Sequence, residues 1–297
     1  MNPSLREWRF GSVHWHLGDF PKLMGIVNVT PDSFSDGGKF LDPSAAIDQA
    51  LSLAEQGADI LDLGAESTRP GATPVPASAE LARLLPVLER LRPLTKTLIS
   101  IDTMKATVAR AALAAGADIV NDVSGLTHDP EMLPLCASTD CGVIVMHMQG
   151  SPATMQQAPQ YENVVTEVCE SLHSRIHEFA ARGIVRERMV VDPGIGFGKT
   201  AEHNLQLLSQ ISRLRDFGRP VLIGHSRKRF LQKLLGRPLD ERHSGNLGIA
   251  IACAQQSADI LRVHDIAATR DALLAWQTLL ATKCAMVPNG PREFPSN

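Results

Sequence analysis

Eight short apolar runs punctuate the chain, at 22–27, 60–63, 98–101, 119–121, 142–146, 189–191, 221–223 and 260–263. Each is aliphatic and bounded by Gly, Asp or Pro, the pattern of a strand buried on both faces. Between them lie longer stretches whose apolar residues recur three and four apart. These predict helices over 43–56, 78–91, 105–115, 130–137, 161–182, 202–214, 244–256 and 266–282. Three of the helical patterns stop at a glycine, Gly57, Gly116 or Gly183, in the position of a C-cap.

Strict strand–helix alternation implies parallel strands joined by right-handed crossovers. Eight such units predict an α/β fold, a TIM (β/α)8 barrel. Gly57-Ala58-Asp59-Ile60 and Gly116-Ala117-Asp118-Ile119 repeat at helix-to-strand connections, and Ser257-Ala258-Asp259-Ile260 is a weaker copy. Residues 1–21 read differently. Trp8, Phe10, Val13, Trp15 and Leu17 alternate around Gly11, which predicts an N-terminal β-hairpin covering the bottom of the barrel. His14 and His16 sit at strand spacing on it; an ordinary hairpin face is the first reading and a metal role the alternative. With no dividing linker, the expected organisation is one domain over 1–297: hairpin 1–21, barrel 22–282, loose tail 283–297.

The 297 residues suffice for such a barrel, and a composition 44% hydrophobic and 21% charged is that of a soluble globular chain. A net charge of −3 gives no general attraction to nucleic acid or anionic membranes. No run of eighteen apolar residues predicts a membrane span, and the first ten residues lack the apolar core of a secretory signal. The five cysteines have irregular spacing, which suggests free thiols in a reducing cytoplasm.

Chemistry in a β/α barrel gathers at the C-terminal strand ends. Here the runs are followed by Asn28, by 64–70 with Thr68 and Arg69, and by Asp102, Asn121, His147, Asp192, 225–228 and His264. Arg69, Lys228, Arg262 and His264 together suit a phosphate or diphosphate. Asp102, Asn121 and Asp192 suit a ring bearing several N–H groups. One Tyr and three Trp leave few platforms for a sugar. The segment 194–200, GIGFGKT, fails both the phosphate-loop spacing and G-x-G-x-x-G, and reads as a βα loop with Lys199 solvated. His147 has no second ligand at metal spacing. The polar segments at 30–38 and 67–71 read as loops able to close over a site.

These segments, in order, carry a resemblance. GIVNVTPDSFSDGG at 25–38, DLGAESTRPG at 62–71, SIDT at 100–103, NDVSG at 121–125, MHMQG at 146–150, DPGIGFGK at 192–199, SRK at 226–228 and RVHD at 262–265 resemble the signatures of the dihydropteroate synthases. The resemblance runs from about residue 22 to 275. It implies an enzyme of folate biosynthesis that condenses (7,8-dihydropterin-6-yl)methyl diphosphate with 4-aminobenzoate, giving 7,8-dihydropteroate and diphosphate. It also implies Mg²⁺, sulfonamide inhibition and a homodimer through late helices. Asn28 would coordinate Mg²⁺. Asp102, Asn121, Asp192 and Lys228 would hold the pterin, lined by Met146 and Phe197. Thr68, Arg69, Arg262 and His264 would bind diphosphate. Phe34, Pro70, Ser226 and Lys228 would frame the aminobenzoate, with Asp36 acting in the first loop. Asp102, held close, would stabilise a pterin methylene cation in a dissociative substitution, with Asp36, Lys228 and Arg69 as the other catalytic groups. Two rivals are a barrel methyltransferase that binds pterin and a non-catalytic relative. The first does not need 34–38 with 226–228, and the second would have lost Asn28, Arg69 or Asp102.

Overall fold

Burial on both faces requires each strand to meet apolar side chains twice, once inside a barrel and once under helices. The computed structural model, which describes residues 6–18, 20–30, 43–68, 71–152 and 154–285, shows this arrangement. An antiparallel hairpin, β1 (Arg6–Phe10) and β2 (Val13–Leu17), precedes eight parallel strands. These are β3 (Lys22–Asn28), β4 (Ile60–Gly64), β5 (Leu98–Asp102), β6 (Ile119–Asp122), β7 (Gly142–Met146), β8 (Met189–Asp192), β9 (Leu222–Ile223) and β10 (Ile260–Val263). Neighbours pair in the order β8-β7-β6-β5-β4-β3-β10-β9. A single parallel bridge, Val191 to Val221, closes the ring between β8 and β9.

The helices are α1 (Pro43–Glu55), α2 (Ala77–Leu91), α3 (Ala106–Ala114), α4 (Met132–Ala137), α5 (Val164–Ala181), α6 (Ala201–Ser209), α7 (Ile211–Leu214), α8 (Phe230–Leu235), α9 (His243–Gln255) and α10 (Ile266–Ala285). Two differ from the sequence expectation. The stretch 202–214 is two helices, because Gln210 leaves helical geometry at φ −132° and ψ 34°. Helix α8 was not expected: its six residues give less than two turns of periodicity, and its burial of Phe230 and Leu231 supplies the reason it forms. Arg229, which follows the Ser-Arg-Lys triplet, is exposed at its N-terminus.

The repeated Asp before a strand has a structural use. The backbone N–H of Asp59 donates to Leu23 O (2.8 Å) while its carboxylate accepts from Leu23 N (2.9 Å). Asp118 does the same with Ile99, and Asp259 with Val221. Each carboxylate also holds a cation, Lys22, Arg92 or Arg6 respectively. One side chain thus clamps the start of the neighbouring strand and fixes its register at the bottom of the barrel.

The hairpin closes that end, as its alternation predicted. Trp8, Phe10 and Leu17 join Met24, Ile60, Ile119, Ile144, Val190, Leu222 and Ile260 in one apolar layer inside the barrel. The buried indole N–H of Trp8 donates to Arg188 O at 2.9 Å. The intervening residues, such as Leu23, Leu61, Leu63, Ile99, Val120 and Val145, face the helices. Replacing Trp8, which is fully buried, with Ala is expected to cost about 3–5 kcal/mol of stability. Urea unfolding of Trp8→Ala checks this; an unchanged midpoint would contradict the plug.

Candidate active site

Two residues further along the strands, the side chains inside the barrel change character. Asp62 stands two beyond Ile60, Asn121 beyond Ile119, Asp192 beyond Val190 and Arg262 beyond Ile260, while Met146, two beyond Ile144, stays apolar. At ~3.3 Å per residue the interior passes from hydrocarbon to charge within ~7 Å. Asn28, Gly64, Asp102 and Asn121 share one register row nearer the mouth.

Arg262 organises this layer. Its Nε donates to Asp62 at 2.6 Å and its Nη2 to Asp102 at 2.8 Å. Asn121 donates to Asp62 as well, at 3.2 Å. Asp62 is fully buried and was missed as a site residue in the sequence, because it lies inside an apolar run rather than at its end. Burial lifts the Asp102 carboxyl to about 7; Arg262 pulls it back down, while Asp62 and Asp122 push it up. Burial also raises Asp192, against a hydrogen bond from Gly194 N at 2.7 Å and the nearby Lys228. The same burial, reinforced by Arg262, lowers Lys228 to about 8. Burial opposes the Arg262 cation, but Asp62 and Asp102 more than offset it, so the guanidinium is held charged.

The mouth has an apolar shelf beside these charges. Met146 and Phe197 pack with Met104, Val123 and Met155. The Lys228 ammonium lies over the Phe197 ring, 4.1 Å from its centroid. The segments following β7 and β8 press together behind this shelf. A Cβ on Gly194 would stand 1.9 Å from His147 O, and one on Gly198 2.4 Å from Gln149 O, so neither position admits a side chain. Lys199 is the bolt. Contrary to its reading as solvated, it is 2% exposed and reaches His147 Nδ1 (3.0 Å), His147 O (3.3 Å) and Phe197 O (2.9 Å). Its burial lowers the ammonium to about 7, and burial holds His147 neutral at about 3.

On the other flank, Ser226 Oγ lies 2.9 Å from His264 Nδ1. Both border a 470 Å³ cavity with His225, Arg227 and Asp265. Arg227 takes φ 58°, a strained backbone for a side chain, and Asn246 Oδ1 accepts its N–H at 2.9 Å. That turn separates Ser226 from Lys228. Asn28 and Thr68 stand half-buried on the rim. Glu66, just before Ser67 and Thr68, is tied down by Lys105, which reaches Glu66 and Glu80 at 2.6 Å each. This triad joins the loop after β4, helix α2 and the residue that precedes α3, and no local sequence pattern announces it. Phe34, Asp36, Arg69 and Pro70 lie outside the described residues.

The arrangement is a largely buried, charge-coupled floor whose donors and acceptors can pair with a flat polar ring, with a flank whose cations can hold an anion. Removing the Asp62 charge is expected to lower the Asp102 carboxyl below about 7, since Asp62 both repels it and competes for Arg262. Carboxyl ¹³C titration of Asp62→Asn checks this; an unchanged or raised value would contradict the coupling.

Comparison with known proteins places the chain. The family of pterin binding enzymes matches residues 24–264. A dihydropteroate synthase of Haemophilus influenzae is 44% identical over 257 residues, covering 86% of this chain and 93% of the relative. The solved dihydropteroate synthase of Xanthomonas albilineans with 4-aminobenzoic acid superposes with a TM-score of 0.87 at 46% identity, covering 94% of this chain and 99% of that one. The same enzyme in complex with 7,8-dihydropteroate gives 0.83 at 44% identity, covering 93% and 99%.

Proposed function

This chain belongs to the dihydropteroate synthases, and from that premise we propose how its barrel mouth carries their reaction. The reaction joins (7,8-dihydropterin-6-yl)methyl diphosphate to 4-aminobenzoate and releases diphosphate, yielding 7,8-dihydropteroate. The observation that carries the reading of the site is the buried chain Asn121–Asp62–Arg262–Asp102 beside Asp192 and Lys228. A pterin is a flat ring edged by donors and acceptors. Asp102, Asn121, Asp192 and Lys228 supply the complementary edge, and Met146 and Phe197 the apolar face. A ring lacking that edge would leave buried groups unpaired, at about 1–3 kcal/mol each.

The diphosphate is assigned to the Arg262 and His264 flank, with Thr68 and Arg69 from the second loop. Ser226, beside His264, and Lys228 frame the aminobenzoate together with Phe34 and Pro70. Asp36 acts in the first loop. The C–O bond to the leaving group breaks first, its electron pair leaving with diphosphate. The exocyclic methylene then carries positive charge, delocalised into the pterin, and the Asp102 carboxylate stabilises it. The amine lone pair closes the C–N bond, and its proton passes to diphosphate or water. No nucleophilic side chain is required.

Mg²⁺ fits the residues present. It takes oxygen ligands, keeps several waters, and binds through one or two protein oxygens and substrate phosphates. The Asn28 amide oxygen at the mouth offers such a donor. Bound there, the metal would neutralise charge on the leaving group. A homodimer through the late helices is supported by Leu274, Leu279 and Leu280, exposed at 41%, 73% and 44%. No helix among the described residues is long and apolar enough to cross a membrane.

Diphosphate release should need the pterin diphosphate and Mg²⁺ and accompany dihydropteroate formation. Asp102→Asn should lower it by ~10²-fold or more. The rate should rise with pH as Asp102 ionises through about 7 and fall as Lys228 loses its proton through about 8. Turnover of Asp102→Asn at the parent rate would overturn the assignment.

A further inference from the structure

The outer face of the hairpin, at the opposite end of the barrel, carries three groups that the synthase reaction does not use. Glu7 pairs directly with His16 across the two strands, and His14 is two residues back on the same face. Alternation sends Trp8 and Leu17 inward and leaves Glu7, His14 and His16 outside, with side chains 42%, 48% and 54% exposed. Glu7 Oε2 lies 3.4 Å from His14 Nε2, and Glu7 Oε1 lies 3.6 Å from His16 Nδ1. The imidazole rings are 4.6 Å apart, centroid to centroid. One ligand atom from each residue falls within 4.8 Å of the other two.

We propose that Glu7, His14 and His16 form a surface site for a divalent transition-metal ion of the Zn²⁺, Ni²⁺ or Cu²⁺ class. The two Glu7–His distances are close to the separation of ligands around an ion, and small side-chain rotations bring the three ligand atoms, within 4.8 Å of one another, to that spacing. Bonds of ~2.0–2.1 Å at tetrahedral angles separate ligand atoms by roughly 3.4 Å. Two imidazoles and one carboxylate select these borderline ions over Mg²⁺ and Ca²⁺, which take oxygen shells. The three ligands come from both strands of a short hairpin whose inner face is anchored by Trp8 and Leu17, so their backbone spacing is preset. Three protein ligands leave a fourth position for water. Arg9 stands directly opposite His14 on the same face and opposes the ion.

The other histidine pair differs. His173 and His177 lie one helical turn apart with Nε2 atoms 3.1 Å from each other, but Arg186 Nη2 sits 2.9 Å from His177 Nε2. A guanidinium stands there where a third ligand would.

Calorimetric titration of the whole protein with ZnCl₂ at about pH 7.5, above the ordinary imidazole pKa, tests the site. One Zn²⁺ should bind per chain. His14→Ala, His16→Ala and Glu7→Gln should each weaken it by at least the ~10–100-fold that loss of an outer-shell partner costs. Arg9→Ala should tighten it, and MgCl₂ should not compete. The electron paramagnetic resonance spectrum of the Cu²⁺ form should show coupling to two imidazole nitrogens, falling to one in His16→Ala. The synthase rate of all four variants should stay unchanged, since none touches the barrel mouth. Absence of Zn²⁺ binding, or the same isotherm in His14→Ala and His16→Ala as in the parent, would overturn the proposal.

Discussion

The charged floor at the mouth of this barrel depends on one guanidinium held between the fully buried Asp62 and the largely buried Asp102. Arg262 comes from the last strand, Asp62 from the second barrel strand and Asp102 from the third. Their contacts span 200 and 160 residues of chain, so the ion group forms only when the barrel is assembled. Each partner alone would be a buried charge without compensation, and breaking such a group typically costs ~3–5 kcal/mol. Burial raises the Asp102 carboxyl to about 7, and within the group Arg262 lowers it while Asp62 raises it. Stability and electrostatic readiness therefore rest on the same three side chains.

The rest of the fold keeps those strands in register. At the bottom, Asp59, Asp118 and Asp259 each clamp both backbone groups of a residue on the adjoining strand, and the hairpin drives Trp8 and Phe10 into the interior. Above that layer, alternate positions carry the polar groups of the mouth. At the top, Lys199 fastens the segments after β7 and β8 to each other, and Lys105 fastens Glu66 to Glu80. Apolar packing and strand clamps at one end thus free the other end for charged groups that oppose folding when unpaired.

Much of this was legible in the sequence because the two faces of a barrel strand obey a period of two, and function begins where an apolar run stops. Asp102, Asn121, Asp192 and Lys228 were found at such stops, and the structure brings Asp102 and Asn121 into one network. Asp62 was not found, since an Asp between two leucines breaks no boundary; only its place on the same alternate face as Ile60 marks it. Lys199 was misread because a glycine-rich loop looks open to water, whereas its glycines let two backbones close over the ammonium. Helix α8 was too short for periodicity to register. The Glu66–Lys105–Glu80 triad is long-range, and composition cannot foretell it.

That Asp62 and Arg262 act as one ion pair on the proposed pterin site can be tested by a double-mutant cycle on affinity. Calorimetry would give the dissociation constant of a pterin substrate analogue for the parent, Asp62→Asn, Arg262→Met and the double variant. The account predicts strong non-additivity, with the double variant little weaker than Arg262→Met alone. Additive losses would mean that the two residues act separately, and would contradict the central place given to their ion pair.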